Sequence, residues 1–494
     1  MEGLRHLSRH RRAEREQDYV LGMLFLKYVS DTWHDHQARY RKQYGDAPPG
    51  LIDELLMTER FIVPPGASFQ ALHAARFTPG NGERIDRALH AIEDANIAKL
   101  RNVFQDLSFN AGKLGGEQQK NELLCRLLEA FAAPDLDLRP SSIGTPDGIG
   151  RAYDQLIRNF ACAGGKKAPE FYTPPEVSSL MARLMDPHEG DEICDPACGS
   201  GSLLLNCARL VRERTGARRY ALFGQEAIGG TWALAKMNLF LHGEDNHRVE
   251  WGDTLRNPKL LAGDAALRRF DIVVANPPFS LAHWGHESAE TDRFARYRRG
   301  VPPRTKGDYA FILHMVETMK PATGRMAVVV PHGVLFRGAA ESRIRQKLVE
   351  ENLLDAVIGL PEKLFYGSGI PAALLVLRRN KADRNVLFID ASRSFEAGKN
   401  QNLLREADLQ RVLDTCTQRC AVPKYAHLAT LSEMAGNGFN LNIPRYVDTF
   451  VPVQAIDMAG VGREREDIKV ELADIEQAMA RCLNELGWDP GNNA

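Results

Sequence analysis

The stretch "EICDPACGSGSLLLNCARL", residues 192–210, decides the fold. Its first part is a short apolar run ending in Asp195, its middle holds Gly199 and Gly201, and its last part is an apolar helical stretch. Strand, glycine turn and helix in that order open an α/β unit. The glycines permit a tight turn and close ligand approach, and the first N–H groups of the helix point at whatever sits there. The pattern departs from the dinucleotide fingerprint G-x-G-x-x-G, and Asp195 stands where a pyrophosphate would be repelled. An acidic side chain there suits a ligand with a positive amino group. The bland reading, an ordinary strand-to-helix turn, gives the same local pattern.

Downstream, short aliphatic runs alternate with helical stretches: "YALFGQEAI", "FDIVVANPP", "GRMAVVVP", "LLDAVIGLP" and "AALLVLRR". Continuous apolar strands separated by helices predict a Rossmann-like, doubly wound, mostly parallel sheet covered by helices. Upstream, from about residue 10 to 160, the texture is helical. "DYVLGMLFLKYVSDTW" places Leu21, Leu24, Phe25, Tyr28 and Val29 on one face, and "NELLCRLLEAFAA" repeats the style. Past residue 440 the chain turns polar and closes with Ile468, Leu472, Ile475, Met479, Leu483 and Leu486 in steps of four and three. That is the seam of a coiled coil or the buried stripe of an amphipathic helix. The expected organisation is an all-α region over 1–160, an α/β domain over 161–445 and a tail over 446–494 whose helix suits binding to a partner.

Composition narrows the function. With 494 residues, a hydrophobic fraction of 44% and a charged fraction of 26%, the chain has the make-up of a soluble globular protein. No apolar run approaches the roughly 20 residues of a membrane span, and the basic start lacks the apolar core of a signal peptide. The expected compartment is the cytoplasm. Eight scattered cysteines fit reduced thiols better than a disulfide framework, and the pairs 194/198 and 416/420 lack zinc-site spacing, so no metal is expected. With 63 basic against 64 acidic side chains, the chain has no surplus with which to hold nucleic acid unaided. Local clusters or a partner would have to supply it.

Three further places in the chain point at a site. Glu226 closes the run after the glycine turn, where a carboxylate can accept from two vicinal ribose hydroxyls. Asp253, in "EWGDTL", follows the next short run and can accept from an exocyclic amino group, or merely cap a turn. Asn276-Pro277-Pro278-Phe279 ends the fourth apolar run, where two prolines cannot continue a central strand. The rigid corner offers the Asn276 side-chain oxygen, the Pro277 carbonyl and the Phe279 ring. Two acceptors and a stacking plate suit a planar exocyclic NH2 group, whose lone pair is delocalised into its ring. Drawing its hydrogens out of plane favours an sp3-like nitrogen, increasingly so as positive charge develops in the transition state. A type I turn is the plain alternative. In duplex DNA such an amine lies inside the stack, so the base would have to be flipped out.

Taken together, "DPACGSG", "NPPF" and the segment "EFYTPPEV" (170–177) resemble S-adenosylmethionine-dependent amino-methyltransferases of DNA. Within these the chain resembles the modification subunits of type I restriction–modification systems, in the gamma order of motifs. "KGDYAFILHMVETMKPATGRMAVVVPHGVLFRG" and "GFNLNIPRYVD" look like later family blocks, and the opening helices look like the family's N-terminal domain, here with a short run ahead of "DYVLGMLF". The resemblance implies a methyltransferase fold and the cofactor S-adenosylmethionine. It places Glu170, Phe171, Tyr172, Thr173, Pro174, Pro175, Asp195, Gly199, Ser200, Gly201, Ser202, Glu226 and Asp253 on the cofactor. Asn276, Pro277, Pro278 and Phe279 would hold adenine N6. The implied partners are double-stranded DNA, a specificity subunit that reads the target, a restriction subunit and a second modification subunit.

For DNA contact, "DRFARYRRGVPPRTKGDY" offers Arg293, Arg296, Arg298, Arg299, Arg304 and Lys306, with Phe294 and Tyr297 interleaved. This is a phosphate-contacting loop or a solvated basic face. Two other functions stay open on the residues alone: methylation of a protein glutamine amide, and a non-catalytic scaffold of the same fold. Cytosine N4 is a chemical alternative to adenine N6.

Overall fold

The computed structural model describes residues 13–45, 48, 50–143, 147–163, 173–365, 369–398, 401–449 and 457–487. Its main helices are α1 (Ala13–Tyr44), α2 (Asn81–Ala95), α3 (Glu117–Phe131), α4 (Asp147–Ala163), α5 (Pro175–Met185), α6 (Ser202–Thr215), α7 (Gly229–Leu241), α8 (Asp308–Thr318), α9 (Ala339–Glu350) and α10 (Met458–Glu485). Nine strands form one sheet: β1 (Glu192–Asp195), β2 (Ala221–Glu226), β3 (His247–Trp251), β4 (Ile272–Ala275), β5 (Arg325–Pro331), β6 (Leu354–Gly359), β7 (Ala372–Arg378), β8 (Val386–Asp390) and β9 (Ala426–Ala429).

Their spatial order is β9-β8-β6-β7-β5-β4-β1-β2-β3. β1 pairs in parallel with β2 and β4, β2 with β3, β4 with β5, and β6 with β8. β7 runs antiparallel between β5 and β6, and β9 is antiparallel on the β8 edge. The central strands are buried on both faces; all four residues of β4 are inaccessible. That is why they read as unbroken apolar runs rather than alternating ones. The strand order reverses between β1 and β4, so a crevice opens beyond their carboxyl ends, where open α/β sheets hold ligands.

The helical region shares its core with the sheet. On α1 the structure buries Val20, Met23 and Leu26 as well as the expected Leu21, Leu24, Phe25 and Val29. One apolar face was expected. Burial on more than one side arises because α1 packs against α3, α4 and α7 together, and a helix enclosed in this way loses its polar stripe. The enclosed Lys27 is neutralised by Asp31 at 2.6 Å. Phe61 meets Phe240 of α7 edge-on at 5.2 Å, and Arg60 donates to Asp245 at 2.7 Å. The described residues up to Asp448 accordingly form one compact unit, and those from Thr449 onward a second. The second unit holds α10, whose N-terminus Asp457 caps by accepting from the Ala459 N–H; Ile468, Leu472, Ile475 and Met479 are exposed along it. Among the described residues, no helix is long and apolar enough to cross a membrane.

Candidate active site

The crevice at the strand reversal is a cavity of about 270 Å³. Its wall brings together the tips of four strands: Asp195 to Gly199 after β1, Glu226 to Ile228 after β2, Asp253 and Thr254 after β3, and Asn276 and Pro278 after β4. Thr173, Leu281, His283 and Phe311 complete the lining. The glycine turn and the diproline corner therefore face one void.

The turn is built as its residues require. Gly199 and Gly201 have φ of 52° and 80°, the left-handed region that a Cβ disfavours. Gly201 occupies the N-cap of α6, and the Ser200 carbonyl accepts from Asn238 Nδ2 of α7 at 2.9 Å. Among the described residues, Ser200, Gly201 and Ser202 stand behind the cavity wall and shape the turn.

Two carboxylates lie at this end. Asp195 is 1% exposed and accepts from the Ala197 N–H at 2.9 Å. Burial, with a smaller contribution from the neighbouring Glu226 charge, pushes its carboxyl up to about 8, against the pull of the Ala197 hydrogen bond. Glu226 accepts from the N–H groups of Gly199 and Ile228, each at 3.0 Å. Burial raises its pKa as well, and the backbone donors oppose that rise. Among the described residues, no lysine or arginine pairs with either carboxylate. Two buried acids without a cation fit a positively charged ligand that also offers hydroxyls, since each oxygen keeps lone-pair capacity beyond one N–H. Beside them Ile228, Leu281 and Phe311 offer apolar surface to a flat ring. Asp253 does double duty. Its Oδ1 accepts from the Leu255 and Arg256 N–H groups at 2.9 and 3.1 Å, the turn-capping role, while the residue also lines the cavity.

The opposite end is neutral. Asn276 Nδ2 donates to Thr173 Oγ1 at 3.3 Å, and Asn276 Oδ1 is buried with no hydrogen-bond partner. A buried unsatisfied acceptor is uncommon and calls for an explanation; here it stands beside the cavity as a ready acceptor for an amine. Thr173 thus meets Asn276, not only the cofactor end where its segment was placed. Pro277 is buried, Pro278 lines the cavity, and the Phe279 ring packs edge-on against Phe365 at 5.9 Å. Pro174 and Pro175 lead into α5, with Pro175 at its first position, which suits a residue without an N–H. Glu170, Phe171 and Tyr172 lie outside the described residues, as does the run ahead of α1.

Comparison with known proteins agrees with this geometry. A model of the N-6 DNA methylase family matches residues 144–452, and one of the HsdM N-terminal domain matches residues 9–131. The chain belongs to the N-6 DNA methylase family. This methylase is 33% identical over 79% of its length, and 67% of the relative's, to the type I restriction enzyme MjaVII methylase subunit of Methanocaldococcus jannaschii. It is 28% identical to the MpnII methylase subunit of Mycoplasma pneumoniae, over 96% of this chain and 93% of that one. Among solved structures, a type I restriction-modification methyltransferase subunit from Streptococcus thermophilus superposes with a TM-score of 0.79 at 35% identity, covering 89% of this chain and 96% of that one. The methyltransferase fold expected from the resemblance is the fold found.

The basic run of this methylase divides in two. Arg296 is 4% exposed, bonds Asp292 through Nε and Nη2, and donates to the carbonyls of Thr254 and Leu255. Arg299 is 1% exposed between Glu317 at 2.6 Å and Glu351 at 2.5 Å. The expectation that these two contact phosphate is corrected: both are structural cations, enclosed and neutralised, and Arg296 holds the loop carrying Asp253. Arg298 is half-exposed and paired with Glu317 at 3.1 Å. Arg293 and Arg304 are exposed and Lys306 is half-buried, with the Arg293 guanidinium over the Phe294 ring at 4.5 Å.

Several lining residues escaped the sequence reading. Ile228 directly follows the Glu226-Ala227 pair and is 47% exposed despite being aliphatic; its position after the acidic strand tip was an available signal. Phe311 had none, because every residue of α8 is buried and no face stands out. Leu281 and His283 lie in an irregular segment whose path only the fold defines.

Proposed function

We propose that this chain transfers the methyl group of S-adenosylmethionine to N6 of an adenine flipped out of double-stranded DNA. It does so as the modification subunit of a type I restriction–modification complex, beside a specificity subunit, a restriction subunit and a second modification subunit. The observation that carries the reading is the unpartnered Asn276 Oδ1 on the wall of the same cavity as Asp195 and Glu226.

S-adenosylmethionine supplies an electrophilic methyl group on a sulfonium. Asp195 would compensate its positive charge, Glu226 would accept from its ribose hydroxyls, and Asp253, Ile228 and Phe311 would bracket its base. Asn276 Oδ1 accepts one N–H of the target amine, and the Pro277 carbonyl accepts the other. Held so, the nitrogen pyramidalises toward the donor, and both acceptors gain strength as charge builds on it. The Phe279 ring stacks on the flipped base. The methylated nitrogen is left cationic and strongly acidic, and its extra proton passes to solvent, so no strong base enters this scheme.

The chain divides in this scheme into a helical region over 1–160, a catalytic region over 161–445 and a partner-binding tail over 446–494. The similarity to separate family models over 9–131 and 144–452 supports the first division. We assign the cytoplasm as its compartment; the cysteines among the described residues carry free thiols, as a reducing compartment keeps them.

The test is transfer of a labelled methyl group to DNA by the chain assembled with its specificity subunit, followed by digestion and identification of the labelled nucleoside. N6-methyladenine is the expected product. N4-methylcytosine, or label appearing on protein glutamine instead, would reject the assignment.

A further inference from the structure

The segment after the catalytic corner is held from outside the cavity. Ser280, next to Phe279, has φ of 54°, a left-handed conformation that serine rarely adopts. Its N–H donates to Asp308 Oδ1 at 2.8 Å. Asp308 is 3% exposed at the start of α8, and its second oxygen accepts from Arg337 Nη1 at 2.8 Å. Arg337 is in turn held by Glu341 at 3.0 Å.

The preceding residue makes a second attachment. The Gly307 N–H donates to the Leu281 carbonyl at 2.9 Å, and a Cβ on Gly307 would come within 3.0 Å of Trp284. Glycine suits that approach, since a Cβ would have to push the Trp284 side chain aside. Gly307 and Asp308 thus grip Ser280 and Leu281, pinning the base of the excursion that runs between them and carries Arg293, Arg304 and Lys306. Leu281 and Pro278, on either side of the gripped Ser280, both line the cavity.

A carboxylate in the first turn of a helix needs no further role than to favour the helix dipole. Here, however, both oxygens are engaged, one by a strained residue of the catalytic loop and one by the half-buried Arg337 guanidinium. We infer that Asp308 is a positioning residue for methyl transfer: it holds Ser280 left-handed and so aims the Asn276–Phe279 corner at the target amine. The inference rests on the function proposed above.

The measurement is the turnover number of the assembled complex at saturating cofactor and DNA, with cofactor affinity of each variant by calorimetry. Asp308→Ala is expected to lower kcat roughly 100-fold, the scale of a small misplacement of reacting groups, with cofactor affinity unchanged. Asp308→Asn keeps an acceptor for Ser280 and should lose only about tenfold. The decisive variant adds Ser280→Gly to Asp308→Ala. Glycine adopts the left-handed conformation without strain, so kcat should recover by several-fold, a result that general destabilisation would not produce. Turnover by Asp308→Ala within about threefold of the parent, or no recovery with glycine, would overturn the inference. A parent complex that transfers no methyl group to DNA would overturn the function itself, which is a different failure.

Discussion

The two ends of the cavity are built on opposite principles. At one end Asp195 and Glu226 are buried carboxyl groups that no described lysine or arginine pairs; at the other Asn276 is a neutral amide whose buried oxygen has no partner. The first arrangement attracts by charge and changes with pH. The second selects by direction and has no proton to lose. A transferase that handles a permanently charged donor and a feebly nucleophilic amine benefits from this separation, because tuning the affinity for one leaves the geometry of the other untouched.

The sharpest way to break the contrast is Asn276→Ala. It should lower methyl transfer about 1000-fold or more, the scale of losing a preorganised contact at the reacting centre, while cofactor binding by calorimetry stays unchanged. Loss of cofactor affinity in this variant would merge the two ends into one.

Next in size is Asp195→Asn, expected to weaken cofactor binding about 10- to 100-fold, as removal of a charge-assisted contact does. Because the ligand-free carboxyl is raised from 3.8 to about 8, it holds a proton at neutral pH. A cationic ligand favours the ionised form, so binding expels that proton; calorimetry in buffers of different ionisation heat should detect the release below pH 8 and its disappearance above. The same shift acts on the empty fold. A raised carboxyl contributes stability that is fully present below its unfolded value and is lost as pH rises through about 8. The Tm of the ligand-free chain should therefore decline across that window, and the asparagine variant should flatten the decline.

What the sequence made legible was local. The glycine turn, the diproline corner and the strand tips are each written in a few adjacent residues: glycine permits the left-handed turn and proline fixes its own φ. Contacts between distant segments were not legible. Thr173 meets Asn276 across the fold, and Arg299 is enclosed by Glu317 and Glu351, pairings that depend on which helices close over the loop. The basic run looked uniform because charge in a sequence carries no record of burial. The direction of β7 was hidden for a related reason: an apolar run inserted antiparallel reads like its parallel neighbours. Helix α1 misled in the other sense, since its spacing suggested one face and its packing uses more.

Thr173 sits on the border of the comparison and sharpens it. As part of the segment before α5 it was assigned to the cofactor, yet its hydroxyl accepts from Asn276 Nδ2. That bond leaves Oδ1 as the amide atom free to accept. Thr173→Val should lower kcat about tenfold, the weight of one neutral hydrogen bond, with cofactor affinity unchanged and Thr173→Ser near the parent. The reverse outcome, weakened affinity with kcat intact, would return this residue to the acidic end.

The smallest effects belong to the rim, which should touch neither end. Arg304→Ala and Lys306→Ala are each expected to weaken DNA binding by the assembled complex only a few-fold, and each to reduce the slope of log affinity against log salt by about 1, the signature of one lost phosphate contact. Arg296 provides the internal contrast. It lies in the same run, but its guanidinium is spent on Asp292 and on the carbonyls of Thr254 and Leu255, so its removal strands a buried carboxylate and loosens the loop that carries Asp253. Arg296→Ala should lower Tm and weaken cofactor binding while leaving the salt slope where it was. Equal slopes for all three variants would mean that exposure does not sort these cations, and that the charge of the run reaches DNA by another path.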